Sequence, residues 1–359
     1  MEKPNYIIRL SRTTSTGNFK EFEEDLQNTY YMSNHLEDLR FKEASRAAFA
    51  CNIEKLKKLV NGANINQINS KAEPIIFATL RRSFKDTNAP IEKTLNFLLD
   101  NGAYLYITEP GQAMTAFEYA ALLSAKSKTH NFRALDFFIS QGADPFIASV
   151  NKPSLFDTVS HFSNYPKIYP QANEVLKFFK SKITSLRQAV LACDVEKVEE
   201  FANSIANDEK DEDAKTPLFR AVSRFDLSNK IATIEIIKKL LAKGAKPNAG
   251  IANMAYPYQT IIAFATIVSI QQGDSGMIPP LLEHGGDPKY SLAPQFGPTA
   301  YELAYRAANL TEEDLKKEKE LVQIKKNAST AHDILDLFQK YTQTEIFDPF
   351  KGIYEDHSI

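Results

Sequence analysis

The most reactive side chains in this sequence are two cysteines, Cys51 and Cys193, and six histidines. The histidines are scattered along the chain without the short spacings that metal sites require. A thiol nucleophile needs a lowered pKa and a nearby base, and no histidine is close to either cysteine in the sequence. The sequence also lacks glycine-rich phosphate loops, Gly-x-Ser-x-Gly elbows and His-Glu-x-x-His motifs. We therefore expect no catalytic site, no metal site and no cofactor.

Two glutamates, Glu118 and Glu302, have a structural explanation instead of a catalytic one. Thr115 and Thr299 precede them by three residues and give the Thr-x-x-Glu capping box. In this motif each side chain binds a backbone N–H at the start of a helix. The sequence therefore predicts helices that begin directly after Thr115 and Thr299.

A helix followed by a glycine stop is a pattern that recurs along the chain. Ile91, Leu95, Leu98 and Leu99 fall on one face of a helix, and Gly102 follows its last turn, where a left-handed residue usually ends a helix. The same stop recurs at glycines 62, 102 and 142, which are 40 residues apart, and at glycines 244 and 285, which are 41 apart. A fixed period of roughly 20–50 residues predicts a stack of repeated helical units.

Bulk composition excludes several classes of protein. The net charge of −2 provides no general attraction to nucleic acid or to anionic lipid. A secretory signal peptide and an apolar run of about 18 residues are both missing from the sequence. We therefore expect a cytoplasmic protein with no nucleic-acid partner and no membrane insertion. Two cysteines in matching positions of separate units fit a reducing cytosol better than a disulfide.

The first unit, 46–60 followed by Asn61-Gly62-Ala63, resembles an ankyrin repeat: a first helix of small residues, a tight turn, a second helix and a glycine stop. The other units fit the same template. Their two helices are expected at 74–78 and 91–99, 115–120 and 132–139, 155–162 and 175–179, 188–192 and 195–198, 216–221 and 234–241, 260–265 and 278–282, and 299–304 and 334–341. The resemblance implies an all-α ankyrin-repeat solenoid of about eight helix-turn-helix units with short β-hairpin fingers.

The template divides the chain into four parts: an N-terminal capping helix region (1–42), repeats one to four (43–182), repeats five to eight (183–343) and a C-terminal tail (344–359). Cys193 follows Cys51 by 142 positions in a closely similar sequence, which suggests that the two groups of four arose by duplication. Both cysteines stand where the family usually has a glycine in the turn between helices. The period of 40 exceeds the family's, which is about 33, and the extra residues lie between the two helices of a unit, where repeat insertions often serve binding.

The resemblance implies that the protein binds a partner protein on a concave face formed by first helices and finger tips. Aromatic and arginine residues dominate interface hot spots, so we predict that the partner-binding residues are Tyr104, Tyr106, Phe146, Tyr256, Tyr258, Tyr290, Phe296, Arg81 and Arg82. For each aromatic residue, packing between neighbouring fingers is the alternative, and for the two arginines the alternative is an ordinary solvated charge. We expect this binding module, or scaffold, to be a monomer. Residue usage and helix starts such as Thr115-Ala-Phe-Glu118 also resemble ankyrin proteins of intracellular bacteria, which implies an effector in a host cytosol.

Two other functions stay open. One is an enzyme or enzyme modulator that uses a cysteine or residues of the insertions. The other is an adaptor whose N-terminal helix, otherwise a cap, or C-terminal tail binds a second protein. The acidic run 208–213 is expected to be a solvated loop, with contact to a basic partner as the alternative. Asn66 and Asn248 stand at the finger position that resembles a hydroxylation site in some family members.

Overall fold

The computed structural model of the protein describes residues 35–60, 65–66, 74–103, 114–148, 152–203, 209–211, 214–250, 260–292, 297–310 and 327–342. Every regular element in these ranges is an α-helix. The sixteen helices there are α1 (His35–Phe49), α2 (Ile53–Leu59), α3 (Ile75–Lys85), α4 (Ile91–Asp100), α5 (Ala116–Lys126), α6 (Arg133–Ser140), α7 (Leu155–Ser163), α8 (Ala172–Ser181), α9 (Leu186–Leu191), α10 (Val195–Phe201), α11 (Pro217–Ser223), α12 (Lys230–Ala242), α13 (Ile261–Gln272), α14 (Ile278–Glu283), α15 (Ala300–Ala308) and α16 (Ala328–Thr342).

The helices belong to two compact units that divide between Lys182 and Ile183. In the first unit α1 contacts α3, α3 contacts α5 and α5 contacts α7, so the odd-numbered helices form one row. In the second unit α9, α11, α13 and α15 form the corresponding row. Each even-numbered helix packs on the odd-numbered helix before it. The all-α prediction is therefore confirmed for the described residues, and each predicted helix pair is present at its predicted place.

Small and apolar side chains bring the odd-numbered helices together. On α1, Ala44, Ala47 and Ala48 are buried, and the absence of longer side chains lets α3 approach closely. On α3, every residue from Ile75 to Leu80 is buried, and the same is true of most of α13. Helices that are apolar around most of their circumference need neighbours on several sides, which the rows and the even-numbered helices provide.

The helix ends follow the predicted signals. Gly102, Gly142, Gly244 and Gly285 have φ values of 91°, 92°, 96° and 84°, the left-handed conformation that glycine adopts without a steric penalty. After α4, the N–H of Ala103 donates to the carbonyl of Leu98 at 2.9 Å, which closes the helix end. The stops predicted at these four glycines are confirmed.

The starts of two helices also follow the predicted signals. Both capping boxes are present: the Oγ1 atoms of Thr115 and Thr299 accept hydrogen bonds from the N–H groups of Glu118 and Glu302 at 3.0 and 3.2 Å. The two glutamates return bonds to the threonine N–H groups. These carboxylates therefore have the structural role that the sequence predicted.

The predicted fingers are mostly outside the described ranges, in 61–64, 67–73, 104–113, 149–151, 251–259 and 293–296. Gly250 and Thr260 form an isolated antiparallel bridge at the base of one of them, and no β-strand occurs among the described residues. The predicted N-terminal cap, up to residue 34, and the tail after residue 342 also lie outside these ranges. The first helix begins at His35, inside the region assigned to the cap. Among the described residues, none of the helices is long and apolar enough to cross a membrane.

Candidate partner-binding surface

The first unit carries a shallow depression between α1 and α3. It is lined by Ser45, Arg46, Phe49, Ala78 and Arg81. The buried alanines of α1 face α3, which leaves Arg46 exposed and the Phe49 ring half-buried at the rim. Arg46 and Phe49 are three residues apart on α1 and therefore share a face of the helix. We call this feature the α1–α3 depression.

Two further cations of α3 lie beside the α1–α3 depression. The guanidinium of Arg82 lies 5.7 Å from the centre of the Phe49 ring, and the Lys85 ammonium lies 5.4 Å from it. Arg82 also donates to the Asp86 carboxylate at 2.7 Å, which fixes its orientation. The positive charge next to the ring is attracted by the ring's π electrons. The depression therefore combines an apolar floor with a cationic rim.

Of the predicted residues, Arg81 lines the depression and Arg82 lies beside it against the Phe49 ring. The structure adds Arg46 and Phe49, which were missing from the predicted site. Their spacing in the sequence placed them on one helix face, but only the packing of α1 against α3 shows that this face adjoins Arg81.

The aromatic predictions have different outcomes. Phe146 is only 2% exposed and packs on Phe156 with ring centres 5.2 Å apart, so it belongs to the core and cannot contact a partner in this conformation. Phe146 therefore packs within the protein, but against a residue of helix α7 and not between neighbouring fingers. Tyr290 is 40% exposed, as a contact residue requires. The remaining five aromatic residues lie outside the described residues: Tyr104, Tyr106, Tyr256, Tyr258 and Phe296.

Asn66 and Asn248, the two finger asparagines, each bind the loop that follows the next helix pair. The Nδ2 of Asn66 donates to the carbonyl of Gly102 at 2.8 Å, and the Nδ2 of Asn248 donates to the carbonyl of Gly285 at 2.9 Å. Asn248 also accepts a bond from the N–H of Asp287 at 2.9 Å. These hydrogen bonds give both asparagines a structural role, while their hydroxylation stays a prediction.

The expectation of a solvated loop at 208–213 is wrong for Asp211. Its side chain is only 4% exposed, and its carboxylate accepts a hydrogen bond from the Nε of Arg220 at 2.7 Å. The Nε of Arg187 lies 3.6 Å from the same oxygen. Burial alone would raise the pKa of Asp211, but the bonds from Arg220 and from the Lys215 N–H, together with both guanidinium charges, lower it overall. A charge count along the sequence could not show which of these acids faces the arginines.

Both cysteines adopt left-handed backbone conformations in the turns between paired helices, with φ values of 53° for Cys51 and 48° for Cys193. Glycine adopts this region most readily, so the backbone agrees with the prediction that both cysteines stand at positions suited to glycine. Both are half-buried free thiols. The Nδ2 of Asn229 lies 3.9 Å from the Cys193 sulfur, a weak hydrogen bond that involves no base. Among the described residues, no group of three or more histidine, cysteine, aspartate or glutamate side chains is arranged to hold a metal ion.

The insertions in the first unit join neighbouring helix pairs through polar contacts. The Nδ2 of Asn131 donates to the Ser83 carbonyl at 2.5 Å, and the N–H of Gln171 donates to the Ala125 carbonyl at 3.0 Å. Beside the insertions, Arg133 of α6 forms a two-pronged ion pair with Glu92 of α4, whose hydrogen bonds measure 2.8 and 2.6 Å. In this unit the insertions therefore have a structural role as connections between pairs. Three apolar side chains on or beside them are also exposed: Phe84, Tyr165 and Ile168.

No protein-family model matches the chain, and no curated protein sequence matches it.

Proposed function

We propose that this chain is a degenerate ankyrin-type repeat protein that binds another protein and has no catalytic function or cofactor of its own. The observation that carries the proposal is the α1–α3 depression, which lies on the row of first helices. Resemblance to the ankyrin family supports the same surface, because that family binds partners through its first helices and fingers.

The composition of the depression suits protein recognition. Arginine and aromatic side chains contribute most of the binding energy in many interfaces. Arg82 is held by Asp86 and by the Phe49 ring before any partner arrives, so binding orders fewer side chains and loses less entropy. A rigid helical support adds to this advantage, since both Phe49 and Arg81 project from packed helices.

We further propose that the protein works in a reducing cytosol, as its two free cysteines suggest. The resemblance to ankyrin proteins of intracellular bacteria extends the proposal to an effector in a host cytosol. Tyr290, which is exposed beside a predicted finger, is proposed as part of the same recognition function.

Site-specific photo-crosslinking tests the proposal. The full chain would carry Ser45→p-benzoylphenylalanine, within the depression, or Lys93→p-benzoylphenylalanine, on the exposed side of α4. Each variant is irradiated in extract from cells that make the protein, and the adducts are identified by mass spectrometry. We expect discrete protein adducts at position 45 that are missing at position 93. If both positions give the same adducts, or neither gives any, the surface is wrong.

A further inference from the structure

The insertions of the first unit form one continuous surface, at the ends of the helices where each first helix leads into its second. They comprise residues 83–89, 125–131 and 163–171. The Nδ2 of Asn131 donates to the Ser83 carbonyl, and the N–H of Gln171 donates to the Ala125 carbonyl. Each insertion is therefore bonded to the next one along the row of helix pairs. We call this surface the insertion edge.

The whole insertion edge lies within the described residues, and so does the turn between α1 and α2. Inside this unit, four ranges are outside the description: 61–64, 67–73, 104–113 and 149–151. Each of them stands between one helix pair and the next, and the helix ends that they join are the opposite ones. The exposure of side chains on the insertion edge therefore holds with every loop at this end of the unit in place.

The insertion edge is basic although the chain as a whole has a net charge of −2. The three insertions contain four lysines, no arginine and a single acidic residue, Asp86, which is paired with Arg82. All four lysines are exposed: Lys85, Lys126, Lys128 and Lys167. The positive charge at this end of the unit is therefore a local excess that faces solvent.

Two apolar side chains of the third insertion are exposed next to this charge. Tyr165 is 47% exposed and Ile168 is 56% exposed. The turn that carries them is fixed, because the N–H groups of Ile168 and Tyr169 both donate to the Tyr165 carbonyl at 2.9 Å. The Tyr169 ring also stacks on Phe162 with ring centres 4.2 Å apart. A rigid turn thus presents Tyr165 and Ile168 to solvent, with Lys167 between them in the sequence.

The type of cation indicates which partner this edge fits. Protein interfaces are enriched in arginine and depleted in lysine, and the two arginines that flank the insertions are already in ion pairs, Arg82 with Asp86 and Arg133 with Glu92. An anionic membrane surface attracts lysines without requiring a fixed geometry, because its charge is spread over many headgroups. Exposed tyrosine and aliphatic side chains favour the boundary between headgroups and acyl chains. Charge and apolar content together therefore favour a lipid surface over a protein.

We propose that the insertion edge of the first unit binds peripherally to an anionic lipid bilayer. Tyr165 and Ile168 enter the boundary between headgroups and acyl chains, while Lys128 and Lys167 lie against the headgroups. The long apolar stems of the lysines reach along the protein surface and keep their ammonium groups at the level of the phosphates. The inference goes beyond the proposed function, because it assigns a lipid surface to a different part of the first unit.

Sedimentation with lipid vesicles tests the inference. The full chain is mixed with vesicles of phosphatidylcholine alone, or of phosphatidylcholine with about one-third phosphatidylserine, and the bound fraction is measured after centrifugation. We expect the chain to bind the anionic vesicles about tenfold or more tightly than the neutral ones. We also expect this binding to weaken as ionic strength rises, because the attraction is between charges.

Matched lysine variants locate the charge that binds. Each lysine near an anionic surface contributes roughly a fivefold increase in affinity, so the double variant Lys128→Gln, Lys167→Gln should weaken vesicle binding about tenfold or more. The control is Lys58→Gln, Lys238→Gln, which removes the same charge from exposed positions on α2 and α12. It should change the affinity less than about twofold, because these lysines are outside the insertion edge.

Matched isoleucine variants test the apolar contact. Ile168→Ser should weaken binding about fivefold or more, because it removes an apolar side chain that enters the bilayer boundary. Ile231→Ser makes the same change on α12, where the isoleucine is 83% exposed but its neighbour Lys230 is paired with Asp274. This control should leave vesicle binding unchanged. All four positions changed on the insertion edge and α12 are exposed, so the variants should fold, and a thermal melt checks this.

Three results would overturn the inference. The first is equal binding to anionic and neutral vesicles, or no binding to either. The second is an equal loss of affinity in the lysine variant and its control, or in the two isoleucine variants, which would indicate general attraction instead of a defined surface. The third is that an oligoglutamate peptide binds more tightly than the vesicles and with the same dependence on Lys128 and Lys167, since the edge would then belong to an acidic protein. Photo-crosslinking at position 45 is a separate measurement, so each proposal can fail without the other.

Discussion

The glycine that ends α12 offers a test of how the helix stops are built. Gly244 has a φ of 96°, and a Cβ atom added to it would meet no atom within 4 Å. The cost of Gly244→Ala is therefore conformational only. A non-glycine residue in the left-handed region costs about 1–2 kcal/mol, and the stiffer unfolded chain offsets about 0.4–1 kcal/mol of this. We expect Gly244→Ala to lower the free energy of unfolding by about 1 kcal/mol.

Asparagine distinguishes the conformational explanation from a steric one. Because asparagine visits the left-handed region more readily than alanine does, Gly244→Asn should cost less than Gly244→Ala. At Gly286, in the next helix stop, a Cβ atom would lie 2.7 Å from the Leu281 carbonyl oxygen and 2.8 Å from the Ile262 Cδ1. The limit there is space, and overpacking costs about 1–3 kcal/mol. The larger asparagine should therefore be worse than alanine at position 286.

Equilibrium unfolding in urea, followed by circular dichroism at 222 nm, measures all four variants. Both glycines belong to the second unit, and each variant is compared with the wild type under the same conditions. The expected result is a reversal of rank, with asparagine better than alanine at position 244 and worse at position 286. The same order at both positions would refute the reasoning, since backbone conformation and steric space would then not be separate causes.

Three other predictions concern single side chains. Asp211→Asn should lower the free energy of unfolding by roughly 1.5–3 kcal/mol at neutral pH, because it weakens a hydrogen bond between charged groups. Folding lowers the pKa of Asp211 below its ordinary 3.8, so this stabilisation is present above pH 3.8 and is lost as the pH falls below it. If the difference in unfolding free energy between wild type and variant does not shrink in acid, the ion pair of Asp211 is not its cause. Thr299→Ala should cost about 1 kcal/mol in the same urea measurement, because it removes the N-terminal cap of α15. Phe146→Ala should cost about 3–5 kcal/mol, whereas Tyr290→Ala, at an exposed position, should change stability by less than about 0.5 kcal/mol; similar effects in a thermal melt would contradict the burial of Phe146.

The sequence by itself determined the local structure. Helix pairs, their starts at Thr115 and Thr299 and their stops at glycines such as Gly102 and Gly244 were all predictable. These features depend on residues within one or two turns of each other: the spacing of apolar side chains, a capping side chain and a residue free to adopt positive φ.

Only the tertiary structure decided which of the candidate site residues face the core and which face the surface. Phe146 is buried on Phe156, a residue of the next helix, and Asp211 lies between arginines of two helices. In both cases the partner is brought near by the packing of separate elements, and the local pattern is the same for a buried and an exposed side chain. The α1–α3 depression has the same origin, because Arg46 and Arg81 become neighbours only when two helices pack through alanine-sized contacts.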